Sequence, residues 1–351
     1  MASLAAIGDN FVLPSLFEDA VRAQVSGMEL SFTHATLPWP QVPFGDVAGV
    51  LEASGDEETV INAVADSDIA LTQLAPFTKR VFDACPNLKL VSVSRGGPVN
   101  VDLEAATRAG VMVSFAPGRN AQAAAEFTVG MMLTAMRRIA DASRALHLGE
   151  WRGEYYSFEN AGMELNGNIV GIVGFGAIGR IVSGIVRAFG AEVLIYDPYL
   201  DAEAQLPDGV SAVDLDTLMS RSRVVTLHAR LSPESHHMIN RENLSLLPDG
   251  AVLVNTARGG LLDYEPLPEM LAKGHLGAIA LDVFDIEPPP ADWPLMGLDN
   301  VVLAPHLAGA TRQTAERAAH IVAQDVARFL HGESINHLAN PEVTTRVTPA
   351  H

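Results

Sequence analysis

The chain has one cysteine, Cys85, in 351 residues. No internal disulfide can form, which fits a reducing compartment such as the cytoplasm. No base stands beside the thiol in sequence, so it reads as a small buried apolar side chain. Basic residues are scarce: 23 Lys and Arg stand against 42 Asp and Glu, a formal charge of −19. Nucleic acid and anionic membrane surfaces need a basic face and are excluded as partners. A small anionic substrate is not excluded, because one local Arg outweighs a distant net charge. No stretch reaches about 18 uninterrupted apolar residues, so no membrane span is expected. No basic segment followed by a long apolar one opens the chain, so no secretory signal is expected. The 11 histidines lack H-x-x-x-H spacing with an acidic partner, so no metal site is expected. Internal repeats and low-complexity segments are missing too. What is present is globular: with 48% hydrophobic and 19% charged residues, the chain can fill the cores of two domains.

Short apolar runs alternate with helix-like segments over residues 1–118, an α/β pattern with an open parallel sheet. Strands are expected at 28–32, 68–72, 88–93 and 111–114, and helices at 60–65, 77–84 and 103–109. Residues 120–148 contain few breakers and read as one long helix. Strand–helix units follow, with strands at 169–173, 192–196, 224–228, 251–255, 278–283 and 300–304, a doubly wound domain. A last amphipathic helix at 310–331 precedes a polar tail. The expected division is 1–118, then 119–306, with 307–351 returning to the first domain and the cleft between the domains as the site.

At 168–180 the run NIVGIVGFGAIGR takes a β-branched strand straight into G-x-G-x-x-G and a helix start. Gly174 makes the turn, Gly176 lets backbone approach a pyrophosphate, and Gly179 lets helix pack on strand. The helix N-terminus offers unpaired N–H groups and a partial positive charge to the anion. The next strand ends in Asp197, 23 residues after Gly174. A carboxylate there accepts from both ribose hydroxyls and repels the extra phosphate of NADP.

Three later strands also end in polar residues. Residues 252–261 end in Asn255–Thr256–Ala257–Arg258 flanked by Gly259 and Gly260, and 280–288 carry Asp282, Asp285 and Glu287. In residues 301–311, Pro305–His306 closes the strand. Ligands of open α/β sheets bind at carboxyl strand ends. Arg, Glu and His gathered there beside a nicotinamide suit oxidation of a 2-hydroxy acid. An imidazole takes the hydroxyl proton, a carboxylate orients the ring, and a guanidinium grips the substrate carboxylate.

These motifs resemble the D-isomer-specific 2-hydroxyacid dehydrogenases, which include D-3-phosphoglycerate dehydrogenases and glyoxylate/hydroxypyruvate reductases. The resemblance rests on VGIVGFGAIGR (170–180), YDPY (196–199), LSPESHHMI (231–239), VNTARGGLLD (254–263), ALDVFDIEPPP (280–290) and APHLAGAT (304–311). It covers about 85–330 strongly and the first 80 residues only in general pattern.

The resemblance implies a Rossmann NAD-binding domain and a discontinuous flavodoxin-like substrate lid. It makes Arg258, Glu287 and His306 the catalytic set. The NAD contacts it implies are Gly174, Phe175, Gly176, Ala177, Ile178, Gly179, Asp197, Pro198, His228, Thr256, Ala257, Arg258, Asp282, His306, Ala308 and Gly309. Asp282 would bond the nicotinamide carboxamide. The lid loop Ser94–Arg95–Gly96–Gly97 would meet the substrate together with Arg258, with Arg119 and Asn120 as weaker candidates for the same pocket. Arg95 there suggests an anionic or sugar-acid-like tail, and the 120–148 helix is expected in a homodimer interface. His236 and His237 are expected at the solvent-exposed surface. The alternative is an NAD(H)-sensing binding protein of the corepressor type.

Overall fold

Two parallel sheets arise from apolar runs that are covered on both faces, as parallel sheets require. The computed structural model describes residues 2–201 and 203–345; the end of the polar tail, from 346 on, lies outside the described residues. The chain divides into two compact units. One comprises the residues up to Asn120 together with those from Ala310 on, and the other is Ala121–Gly309.

The first unit's sheet has five parallel strands: Ala2–Gly8, Leu30–Thr36, Ile69–Thr72, Leu90–Val93 and Met112–Phe115. Numbered by appearance, their order is 2-1-3-4-5, the flavodoxin-like winding. Helices Glu57–Val64, Lys79–Ala84 and Leu103–Ala109 cover one face around Phe77, Phe82 and Val91. Pro14–Gln24 and Arg312–Leu330 cover the other, around Phe17, Val21 and Val322. An antiparallel pair, Gly45–Val47 with Val50–Ala53, is a separate small ribbon.

The second unit's sheet has seven parallel strands: Ile169–Val173, Glu192–Tyr196, Val210–Ala212, Val224–Leu227, Ala251–Asn255, Leu276–Leu281 and Val301–Leu303. Their order is 3-2-1-4-5-6-7, the dinucleotide-binding winding with one added strand. Ala121–Met136 and Ala177–Ala188 pack on one face around Met132, Ile172 and Val182. The other face holds Leu215–Arg221, Arg241–Leu244 and Leu267–Ala272.

Several expectations shift. The single helix at 120–148 is two helices, Ala121–Met136 and Ile139–His147, broken at Arg138, whose φ is +52°. A segment further on crosses the break, because a Cβ on Gly162 would lie 2.4 Å from the Met136 carbonyl oxygen. The first of these helices is apolar almost all round and buried at Ala124, Ala125, Thr128, Val129 and Met132, so it is core rather than surface.

Strand Ala2–Gly8 was missed in sequence because Ala and Ser are weak strand formers; helices pressed on both faces make small residues suitable there. Helix Pro14–Gln24 carried a legible signal, Pro in its first turn and Phe17 and Val21 four apart. The strand expected at 28–32 runs Leu30–Thr36 instead, pairing residue by residue with Ala2–Gly8. Among the described residues no helix is long and apolar enough to cross a membrane.

Candidate active site

At the second unit's switch point, between Ile169–Val173 and Val224–Leu227, the glycine turn opens. Gly174 has φ +96°, and a Cβ there would lie 2.5 Å from the Ala229 nitrogen. A Cβ on Gly179 would lie 2.2 Å from the Gly174 oxygen. These two glycines are demanded by neighbouring backbone. Gly176 differs: a Cβ there meets no described atom within 4 Å. Its open side lies at the start of helix Ala177–Ala188, which no described side chain caps and whose first turn has no acidic residue. Bare N–H groups and an open glycine fit a pyrophosphate.

Asp197 ends the neighbouring strand and turns inward. Its Oδ2 accepts from Phe175 N–H at 2.7 Å and its Oδ1 from Tyr199 N–H at 2.9 Å. Each oxygen keeps a lone pair for a further donor. Pro198 follows it at the surface. His228 ends the strand on the other side, its N–H donating to the Val173 carbonyl at 2.7 Å. Its Nε2 lies 3.0 Å from Thr226 Oγ1. Burial drives this imidazole down to about 3, so it is neutral.

The turn 256–258 is braced by a residue that the sequence reading passed over. Buried Asn255 accepts from Ala257 N–H at 3.1 Å and donates to the Arg258 carbonyl at 2.9 Å. Thr256 Oγ1 meets Thr128 Oγ1 at 2.6 Å, so this turn is also tied to the buried helix Ala121–Met136. The Arg258 side chain is exposed, with Nη1 donating to the Ala257 carbonyl at 2.7 Å. Gly259 lets the turn lie against the next loop, where a Cβ would meet the Phe284 carbonyl oxygen at 2.0 Å.

His306 and Glu287 are brought together across 19 residues of sequence, Nδ1 to Oε2 at 2.7 Å. The other Glu287 oxygen accepts from Phe284 N–H at 3.0 Å. Burial pushes the Glu287 carboxyl up; the His306 contact, the Phe284 N–H and the nearby Arg258 outweigh it and hold it below its ordinary range. His306 stands in the left-handed region at φ +55°, strained for a side chain other than Gly.

Asp282 holds it there. Its carbonyl accepts from His306 N–H at 2.9 Å, and its two carboxylate oxygens accept from Leu307 N–H at 2.7 Å and Ala308 N–H at 2.8 Å. Both oxygens of this fully buried carboxylate thus accept from the loop 306–308, and each keeps a second lone pair. Burial raises its pKa against those two donors. Gly309 closes this unit.

The adjacent His236 and His237 and the sequence-distant Asp285 bring ligand-type atoms within 4.8 Å of one another. The two imidazoles stack at 3.9 Å and 24°. His236 is exposed, whereas His237 is half-buried rather than at the open surface.

In the first unit Ser94 is buried at the end of Leu90–Val93, and Gly96 and Gly97 have open space where a Cβ would stand. Arg95 does not reach out: Nη1 donates to the Glu52 carbonyl at 3.1 Å and Nη2 pairs with the Glu52 carboxylate. Arg119 lies at the carboxyl edge of the same sheet, its carbonyl accepting from Arg317.

The family model described as the NAD-binding domain of D-isomer specific 2-hydroxyacid dehydrogenase matches residues 129–308. A glyoxylate reductase of Thermofilum pendens is 38% identical over 289 residues, covering 82% of this chain and 85% of that one. A D-3-phosphoglycerate dehydrogenase of Methanocaldococcus jannaschii is 36% identical, covering 84% of this chain and 57% of that protein. Among solved structures, the TT0316 protein of Thermus thermophilus superposes with a TM-score of 0.77 at 29% identity, covering 97% of this chain and 100% of that one.

Proposed function

The chain belongs to the D-isomer-specific 2-hydroxyacid dehydrogenase family, and from that premise we propose that Arg258, Glu287 and His306 interconvert a small D-2-hydroxy acid and its 2-oxo acid. The class is an NAD-dependent oxidoreductase acting on CH–OH donors.

The observation that carries this reading is the 2.7 Å contact between His306 Nδ1 and Glu287 Oε2. An ionised carboxylate only accepts, so Nδ1 carries a proton and Nε2 is the ring atom left for substrate. Bound NADH supplies the hydride to the carbonyl carbon. In that direction the imidazolium gives its Nε2 proton to the 2-oxo oxygen; in oxidation the neutral ring takes the hydroxyl proton. Arg258 grips the substrate carboxylate through paired N–H bonds. Asp197 accepts from the adenosine ribose hydroxyls, Gly176 with Ala177 and Ile178 receives the pyrophosphate, and His228, Thr256 and Ala257 flank the nicotinamide. Gly96 and Gly97 offer backbone N–H groups to an anionic or sugar-acid-like substrate.

The working form is a homodimer. Trp151, Tyr156 and Phe158 are 85%, 97% and 94% exposed in one short segment, an apolar patch suited to a second copy. Replacing Trp151 and Phe158 by Ser should yield a monomer by sedimentation velocity. Buried, unpaired Cys85 accords with a cytoplasmic setting.

The test is oxidation of NADH, with NADPH in parallel, against glyoxylate, hydroxypyruvate, 3-phosphohydroxypyruvate, 2-oxoglutarate and 2-keto sugar acids. Turnover of at least one acid with NADH is expected. Tight NADH binding without turnover of any would overturn the reading in favour of an NAD(H)-sensing binding protein.

A further inference from the structure

Among the described residues, no helix or strand lies between Leu276–Leu281 and Val301–Leu303. Glu287 sits on this irregular stretch and still keeps one oxygen on His306. What aims it is a single peptide group, the one between Val283 and Phe284. Its N–H, that of Phe284, donates to Glu287 Oε1 at 3.0 Å. Its C=O, that of Val283, accepts from the Tyr264 hydroxyl at 3.0 Å. The bond is trans, so the group is planar with its C=O and N–H pointing opposite ways. A hydroxyl that fixes one end therefore fixes the direction of the other.

The outcome is one line of hydrogen bonds. Tyr264 O–H donates to the Val283 carbonyl, Phe284 N–H to Glu287 Oε1, and His306 Nδ1 to Glu287 Oε2. Each bond in such a line polarises the next. Burial, and then the Asp285 and Glu287 charges, hold the Tyr264 hydroxyl above its ordinary range, so it stays protonated and donates.

Ring packing keeps the line in place. Trp293 meets Tyr264 edge-on, with centroids 5.7 Å apart and planes at 61°, and meets Phe284 edge-on at 5.5 Å and 85°. Both are favoured aromatic arrangements. Leu295, two residues on, is buried in the core and anchors the stretch that carries Trp293. On its other side the Phe284 carbonyl is stopped by Gly259, where a Cβ would lie 2.0 Å away. All these residues belong to the second unit.

We propose that Tyr264 is a positioning residue: through the peptide between Val283 and Phe284 it fixes where Glu287 accepts, and so the tilt of the His306 ring. The proposal rests on the roles given to Glu287 and His306 under Proposed function.

The experiment uses Tyr264→Phe, which removes one oxygen and keeps the ring against Trp293, alone and in a Glu287→Ala background. Kcat and KM are measured with NADH for each 2-oxo acid of the panel that turns over, glyoxylate first. Tyr264→Phe should lower kcat at least fivefold and leave KM for the acid within twofold, because Arg258 is untouched. In the Glu287→Ala background the same change should alter kcat less than twofold, since a group that acts through Glu287 has nothing left to act on. An equal loss in both backgrounds, the mark of general support for the fold, overturns the proposal. So does an unchanged kcat.

Hydrogen exchange of the Phe284 N–H, followed by NMR on the full chain, separates the two claims. If no acid turns over, the assigned reaction fails. Exchange at least threefold faster in Tyr264→Phe still supports the relay, and equal exchange overturns it.

Discussion

The carboxyl edges of the two sheets are built on the same plan and finished differently. In the second unit the polar groups answer one another: Glu287 holds His306, Asp282 holds the backbone of 306–308, and Asn255 holds 256–258. In the first unit they do not. Of eight buried side-chain atoms without a partner among the described residues, six belong to it: those of Asp9, Ser54, Gln73, Ser94, Asn100 and Arg119. Groups that move a proton must stand ready before substrate arrives, so the chain itself satisfies and aims them.

The largest expected effect strikes the self-satisfied edge. His306→Ala should lower kcat about 10²–10⁴-fold while NADH affinity, read by fluorescence titration, stays within about threefold; near-wild-type turnover would sink the assignment. Asp282→Asn tests whether that edge depends on its buried brace. An amide can accept from only one of the Leu307 and Ala308 N–H groups. One buried donor is then orphaned at about 1–3 kcal/mol, and kcat should drop about tenfold or more with faster amide exchange at 307–308. Unchanged exchange there would show that the loop holds itself.

Asp197→Ala should cut the preference for NADH over NADPH about tenfold; an unaltered ratio removes Asp197 from the ribose site. The smallest effect belongs to the unsatisfied edge and appears in stability. Asp9 ordinarily titrates at 3.8 and burial lifts it to about 6 in the fold, so the folded state binds more protons between those values. Stability therefore falls as pH rises through that window and levels off above it. Asp9→Asn lacks this loss and should gain a few degrees in Tm on the wild type between pH 4 and pH 7, measured by calorimetry. A constant difference between the two proteins would mean that Asp9 is not buried in this way.

What could be read in sequence was unequal in the same sense. Strands Ile169–Val173, Glu192–Tyr196 and Ala251–Asn255 were placed to the residue, because unbroken β-branched runs bounded by Gly or polar residues leave little choice. Strand Ala2–Gly8 was invisible, and with it the burial of Asp9, which follows that strand's end. The candidate trio Arg258, Glu287 and His306 could be named from motif order; the brace of Asn255 and the commitment of Asp282 to the backbone of 306–308 could not. The break at Arg138 escaped too, since a helix-favouring composition does not reveal that another segment lies across Met136.

The sequence by itself determined the family, the dinucleotide turn and the strand ends that carry the reactive side chains, because these rest on local backbone demands and short-range spacing. Only the tertiary structure decided which polar groups are already satisfied and which are left without a partner among the described residues. Hydrogen-bond satisfaction between Asp9, Gln73, Ser94 and Arg119 is a matter of strand order and register, and residues over a hundred positions apart meet or miss by a few ångströms that no linear pattern encodes.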